Sequence, residues 1–449
     1  MRVWQGKTKL TGLALLSYFL FVVAACSPAA TVVSDPPAMG SIDEQQNDDS
    51  LSSDSAITAD TETVAPSETG PADDYVPLDR WVPIPDSFAD ADELVAAITV
   101  GWNLGNTLDS NVGTSPASIR HNSPQRQETH WDNVVTTPEL IQMVRDSGFN
   151  AIRIPVTWFS MVDEDLTIRE DWFTRVQEVV DYAYDIGMIV ILNTHHDESM
   201  WSLFDSGMAD SQQVIETMWQ QIATYFVDYG QRLVFEGLNE PRTVGSENEW
   251  SGGTAEERNN LNILNQVFVD TVRATGGNNA ERFLISSPYA ASSTEAAVGG
   301  FVLPTDPVGP GKQIVSIHMY TPYEFALTMG TDAVTDWSAT GAGASGPDAI
   351  VEGLDRAYDT FVAHGVPVIF GEMGAINRNN PDARVAWATF YVEQARERGM
   401  RTFWWDNGRI GITLPGINTD NFALFNRRTL QPSSPQVINA IMRAVDATP

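Results

Sequence analysis

Short runs of apolar and β-branched residues recur about every 30–50 positions along this chain, with mixed polar and apolar stretches between them. The runs are ITVGWNLG (98–105), FNAIRIPV (149–156), MIVILNTH (188–195) and RLVFEGLN (232–239), then RFLISSPY (282–289), QIVSIHMY (313–320), VPVIFGEMG (366–374) and RTFWWDNG (401–408). Most are continuously apolar rather than alternating, as expected of parallel strands buried on both faces. Between them the spacing turns helical. TPELIQMVRDSG (137–148) opens on Thr137 and Pro138 and closes on Gly148, and 171–187 closes on Gly187 in the same way. Further helices are expected over 211–229, 255–275, 347–365, 382–399 and 434–446, with only a short piece, SSTEAAVGG, after the fifth run. Eight strands alternating with helices over about 370 residues predict an α/β protein, a (β/α)8 TIM barrel forming a single domain over residues 80–449. A doubly wound open sheet is the alternative, but no glycine-rich phosphate loop follows the first run.

The first 79 residues break this pattern. Arg2, Lys7 and Lys9 precede the apolar run LALLSYFLFVVAAC, which is too short and one-sided for a comfortable membrane span and reads as a signal peptide over 1–25. VAAC at 23–26 resembles the lipobox of bacterial lipoproteins, in which the cysteine becomes the lipidated first residue. Cys26 is the only cysteine, so an intramolecular disulfide is impossible. Residues 27–79 hold twelve Asp or Glu and no Lys or Arg, with few large apolar side chains. Such a stretch cannot bury enough surface to offset its ordering entropy, so 26–79 is expected to be a disordered acidic tether. These features predict an exported protein, lipid-anchored at the bacterial cell envelope or surface, or otherwise secreted.

The formal net charge is −33, and Lys312 is the only lysine after the signal segment. This argues against nucleic acid and anionic membrane surfaces as partners and suits a neutral substrate. The chain is expected to act as a monomer that meets a membrane only through its lipid anchor.

In a barrel the carboxyl ends of all strands gather on one face, where the site lies. The first run offers Asn103 and Asn106 there, the second Arg153, the third His195 and His196, and the fourth Asn239 and Glu240. The sixth ends in His318 and Tyr320, the seventh in Glu372, and the eighth in Trp404 and Trp405. Two carboxylates facing across a pocket with aromatic neighbours suit glycosidic bond hydrolysis, which needs one acid for the leaving oxygen and a second carboxylate to attack the sugar or activate water. Glu240 could instead be polar punctuation at a strand end, and Arg153 could pair with a surface acid. His195, His196 and Asp197 could be metal ligands, but strand neighbours point opposite ways and no second His/Cys cluster completes a cage. No metal and no cofactor is therefore expected. Trp404 should face the core and Trp405 the site. Trp131, Trp201, Trp250 and Trp337 lie in long loops after strands, where each is either a packing anchor or a sugar platform. Trp131, Trp201 and Trp250 are the candidates for platforms.

VGWNLGNTLDS, GFNAIRIPVTW, VILNTHHD, FEGLNEPR, SIHMYTPYEFA, VIFGEMGA and FWWDNG, in this order, closely resemble glycoside hydrolase family 5 in its endoglucanase-type branch, which includes xyloglucan-active members (subfamily 4). The resemblance runs from about residue 95 to 430. It implies Glu240 as general acid/base, with a raised pKa in the free protein, and Glu372 as nucleophile. It implies Asn239 on the 2-hydroxyl of the bound sugar, Arg153 and Tyr320 beside the nucleophile, His195 and His318 as site histidines, and Trp405 as a stacking floor. Met373 stands where the family usually has an aromatic residue. The implied activity is a retaining endo-β-1,4-glucanase acting on β-glucan polysaccharide. Xyloglucanase, lichenase and mannanase are alternatives on the same scaffold, and a non-catalytic surface glycan-binding protein is an alternative of another class.

Overall fold

The computed structural model describes residues 84–341, 346–413 and 419–448. They belong to one compact unit, Thr69–Pro449. The signal peptide, Cys26 and the acidic tether lie outside the described residues.

Eight parallel strands close into a barrel in sequence order. They are β1 (Gly101–Leu104), β2 (Ala151–Ile154), β3 (Ile189–Asn193), β4 (Leu233–Glu236), β5 (Leu284–Ser286), β6 (Gln313–His318), β7 (Val368–Met373) and β8 (Arg401–Asp406). Each lies inside a predicted run but stops earlier. β4, for instance, ends at Glu236, so Asn239 and Glu240 sit in the turn beyond it. The expected helices are present, among them Pro138–Asp146, Glu170–Tyr184, Met208–Tyr225, Ala255–Ala274 and Pro381–Glu397.

Strand alternation sorts the side chains into three environments. Outward residues such as Trp102, Ile152, Leu192, Phe235, Val315, Phe370 and Trp404 join the core between barrel and helices. Inward residues of the lower half, including Ala151, Ile189, Ile191, Val234, Ile285, Ile314, Ile369 and Phe403, fill the barrel itself. A helix the sequence pattern did not suggest, Ala91–Ala97, closes this end with Leu94 and Val95. Gly101 has to be glycine, because a Cβ there would lie 2.0 Å from the Phe403 ring that fills the barrel. Inward positions of the upper half are polar: Asn103, Arg153, Asn193, Glu236, Ser316 and His318. Thus the runs read as continuously apolar except at the places that face the site.

β7 breaks the alternation. Its register against β6 moves from Ile317↔Phe370 to His318↔Glu372, so Gly371 is an extra residue. A Cβ on Gly371 would lie 2.3 Å from Ser316 Oγ. The bulge turns Glu372 toward the site while Met373 points into the outer core.

Candidate active site

Arg153 organises the floor of the site. Its Nε donates to Glu236 Oε2 at 2.6 Å, Nη1 to Asn103 Oδ1 at 3.0 Å and Glu372 Oε1 at 2.8 Å, and Nη2 to Asn239 Oδ1 at 2.6 Å. The side chain has no solvent exposure, and a buried charge survives only if paired and hydrogen-bonded. Burial alone would lower the guanidinium's pKa, but Glu236 and Glu372 outweigh it and keep the group charged. Glu236 was not among the residues expected from sequence. The available signal was an acid two residues after the inward Val234, in an otherwise apolar strand. Asn193 also binds Glu236, donating from Nδ2 at 2.9 Å.

Glu372 has both oxygens engaged, Oε1 by Arg153 and Oε2 by the Tyr320 hydroxyl, which donates at 2.9 Å. Burial first, then the charges of Glu372 and Glu240, raise the Tyr320 pKa well above its ordinary value, so this phenol stays a donor. Glu240 Oε1 lies 2.9 Å from His318 Nδ1, and the same nitrogen is 3.7 Å from Glu372 Oε1. One oxygen of each glutamate and a ring nitrogen of His318 all lie within 4.8 Å of one another. Burial pushes Glu240 up, but His318, then Arg242 and His196, outweigh it and hold the carboxyl below its ordinary range. Burial takes Glu372 above its ordinary range against the pull of His318 and Arg153, with Glu240 adding to the rise. The expectation of a raised Glu240 in the free protein is therefore not met. The reason is the His318 ring, hydrogen-bonded to it, and the Arg242 guanidinium on its side of the pair.

His195 and His196 lie beyond the end of β3, so strand alternation does not separate them. Their ring centroids are 4.4 Å apart and perpendicular. His195 stacks parallel on Trp405 at 5.7 Å, and His196 meets the edge of Trp131 at 5.5 Å. Burial holds His195 well below its ordinary pKa and brings His196 to about 4, so both are neutral near neutral pH. Gly105 makes room for the floor, since a Cβ there would come within 2.7 Å of the Trp405 ring. Trp404 is buried in the outer core, with Nε1 donating to the Phe422 carbonyl at 3.0 Å.

A cleft of about 510 Å³ is lined by Trp131, His196, Glu198, Trp201 and Arg242 among others, and Arg242 links it to Glu240. Trp250 stands 61 % exposed over the Arg242 guanidinium. Trp337 is instead a packing anchor, buried against Phe325 and Phe390. Asp197 does not join the histidines. Its Oδ1 accepts the backbone N–H groups of Trp158 and Phe159 at 2.9 and 2.8 Å. Among the described residues, two groups could hold a metal ion: Glu240, His318 and Glu372, and Asp109 with His195 and His196. The Asp109 oxygens already accept backbone N–H groups of Thr107 and Asn106. Asn106 itself sits in this loop, its carbonyl held by Asn133.

Comparison with known proteins gives one consistent picture. A family model described as Cellulase (glycosyl hydrolase family 5) matches residues 115–411. Endoglucanase B of Neocallimastix patriciarum is 41 % identical over 361 residues, covering 79 % of this chain and 71 % of the relative. The solved structure of a GH5-4 broad specificity endoglucanase from Ruminococcus champanellensis, with bound cellotriose, has a TM-score of 0.73 at 40 % identity and covers 79 % of this chain and 98 % of that one. A GH5 xyloglucan-specific endo-β-1,4-glucanase from a metagenomic library, in complex with cellotriose, has a TM-score of 0.70 at 38 % identity, covering 78 % and 97 %.

Proposed function

This chain belongs to glycosyl hydrolase family 5, and from that premise we propose that it is a retaining endo-β-1,4-glucanase that cuts internal bonds of β-glucans by double displacement. The observation that carries the reading is the glutamate spacing, within 4.8 Å between one oxygen of Glu240 and one of Glu372. An inverting enzyme needs about 6.5–9.5 Å between carboxyl groups to admit a water, whereas direct attack on the sugar needs about 5–5.5 Å.

In the first step Glu372 attacks the anomeric carbon while Glu240 gives its proton to the leaving glycosidic oxygen. In the second, water attacks that carbon, its proton passes to Glu240, and the bond to Glu372 breaks. Arg153 and Tyr320 hold the two Glu372 oxygens and so aim the nucleophile. Since Arg153 occupies Asn239 Oδ1, the Asn239 amide nitrogen is left to donate to a sugar hydroxyl. His318 Nδ1 lies 2.9 Å from Glu240 Oε1, which supports its orienting that carboxyl toward the leaving oxygen. Trp405 forms the floor, Trp131 and Trp201 serve as sugar platforms along the cleft, and Trp250 serves as an exposed platform over Arg242. Cleavage of xyloglucan is a second reading, supported by the xyloglucan-specific relative.

The Glu240 and Glu372 roles separate on aryl β-cellobiosides. Glu372→Ala should abolish turnover of every substrate. Glu240→Ala should lose polysaccharide cleavage by roughly 10²–10⁴-fold, the usual worth of general acid catalysis. It should keep the first step for good leaving groups and yield β-configured glycosyl azide when azide is added. Unimpaired polysaccharide cleavage by Glu240→Ala, or an α-configured azide, would reject the assignment.

The lipobox resemblance at Cys26 and the acidic stretch after it support export and a lipid anchor at the bacterial envelope. Mass spectrometry of the native N-terminus should find lipidated Cys26. An unmodified start elsewhere would refute the anchor.

A further inference from the structure

Arg242 follows Glu240 by two residues and gathers three carboxylates. Its Nη1 lies 3.4 Å from Glu240 Oε2 and 3.2 Å from Glu198 Oε1, and its Nε lies 3.0 Å from Glu249 Oε1. Nη1 also donates to the Glu240 carbonyl at 2.9 Å, which ties the guanidinium to the backbone that carries Glu240. Trp250 covers it, with the guanidinium carbon 4.7 Å from the ring. Only 13 % of the Arg242 side chain is exposed, so its charge acts on Glu240 with little screening by water.

We infer that Arg242 is a positioning residue that favours the ionised form of Glu240, and so serves the half-reaction in which Glu240 works as a base. This rests on the reading of Glu240 as acid/base. The two halves of the reaction ask opposite things of that carboxyl. The first needs its proton. In the second, Glu372 is esterified and its negative charge is gone, which removes the repulsion that had kept a proton on the pair. Glu240 must then be ionised to take a proton from the attacking water, and the neighbouring guanidinium stabilises that state. Glu198 and Glu249 temper the effect by sharing the cation, which keeps Glu240 able to hold a proton in the first half. Glu249 Oε2 also accepts the Gly245 N–H at 2.7 Å, so Glu249 is fixed beside Arg242.

The other titratable and charged groups around Glu240 come from different elements. They are His318 from β6, Glu372 from β7, Tyr320 after β6, and His196 and Glu198 after β3, with Arg153 reaching through Glu372. None of these groups is itself altered by a change at Arg242 or Glu249. The alkaline limb of kcat/KM reports the proton on the acid of the free enzyme. Arg242→Gln should move that limb up by roughly one pH unit, the low end for loss of a nearby opposite charge. With an activated aryl β-cellobioside, for which the second step limits turnover, it should lower kcat about tenfold, and azide, which needs no base, should restore it. Arg242→Lys should leave the limb near its original position. Glu249→Gln keeps an amide oxygen for Gly245 but frees Arg242 to act harder on Glu240, so its limb should move down. Opposite shifts in these two variants cannot come from a mere packing role, and the Glu249 variant gives a readout even if Arg242→Gln does not fold. An unmoved limb in either folded variant would overturn the inference. Failure of Glu240→Ala to give glycosyl azide would instead overturn the underlying acid/base reading.

Discussion

A guanidinium without solvent has to find its counter-charges inside the protein, and Arg153 finds two, Glu236 and Glu372. Arg153 and Glu372 are legible in the sequence from their positions at strand ends. Glu236 is not, because one acid in an apolar run carries no mark of where its partner sits 83 residues away in the chain. Arg242 is not for a similar reason, since the carboxylates it gathers come from two separate loops. Asp197, beside two histidines, reads as a possible ligand, whereas its carboxylate serves the backbone of the loop after β2. Asp197 Oδ2 is buried with no hydrogen-bond partner, and burial, with Glu198 adding to it, raises the group from 3.8 to about 7. The folded protein therefore holds this proton where the unfolded chain has lost it. Stability from this group is fully present below about pH 3.8 and is lost as pH rises to about 7. Asp197→Asn keeps an acceptor for Trp158 and Phe159 and removes the titration. Relative to the parent it should gain about 1.4 kcal/mol per pH unit across that window in urea unfolding. A stability difference that does not change with pH would show that Asp197 titrates normally.

At the scale of elements, the apolar runs mark strand centres well and strand ends poorly. Helices cover the outer face and Leu94, Val95 and Phe403 plug the inner one, so both faces are apolar until the last inward positions. Those last residues, and the turns after them, look like strand by composition. This is why strand alternation sets His195 and His196 on opposite faces, although both lie past Asn193 and touch. The β7 bulge is likewise invisible in composition. Strict alternation would have turned Glu372 away from the barrel axis that Ile369 faces, and only the extra residue Gly371 brings it in. The closing helix Ala91–Ala97 is too short to show a periodicity. Loop tryptophans divide by burial, which spacing does not reveal. Trp337 is core, and Trp250 is exposed. Trp250→Ala should raise KM for long glucans about fivefold, the equivalent of roughly 1 kcal/mol for one aromatic contact, with an unchanged melting temperature. Unchanged kinetics with lower melting would make Trp250 a lid on Arg242 alone.

At the scale of the whole molecule, the fold was legible because a closed barrel of eight repeated units imposes its period on the sequence, and the site was legible because that topology gathers strand ends on one face. The charge of −33 argues against polyanions as partners but does not choose among neutral glucans, since loop shape makes that choice. With the paired oxygens of Glu240 and Glu372 within 4.8 Å of each other, the enzyme itself, not water, should attack the sugar first. Proton NMR of the first product formed from a soluble cello-oligosaccharide, recorded before mutarotation, tests it directly. A β-configured reducing end is expected. An α-configured first product would contradict it.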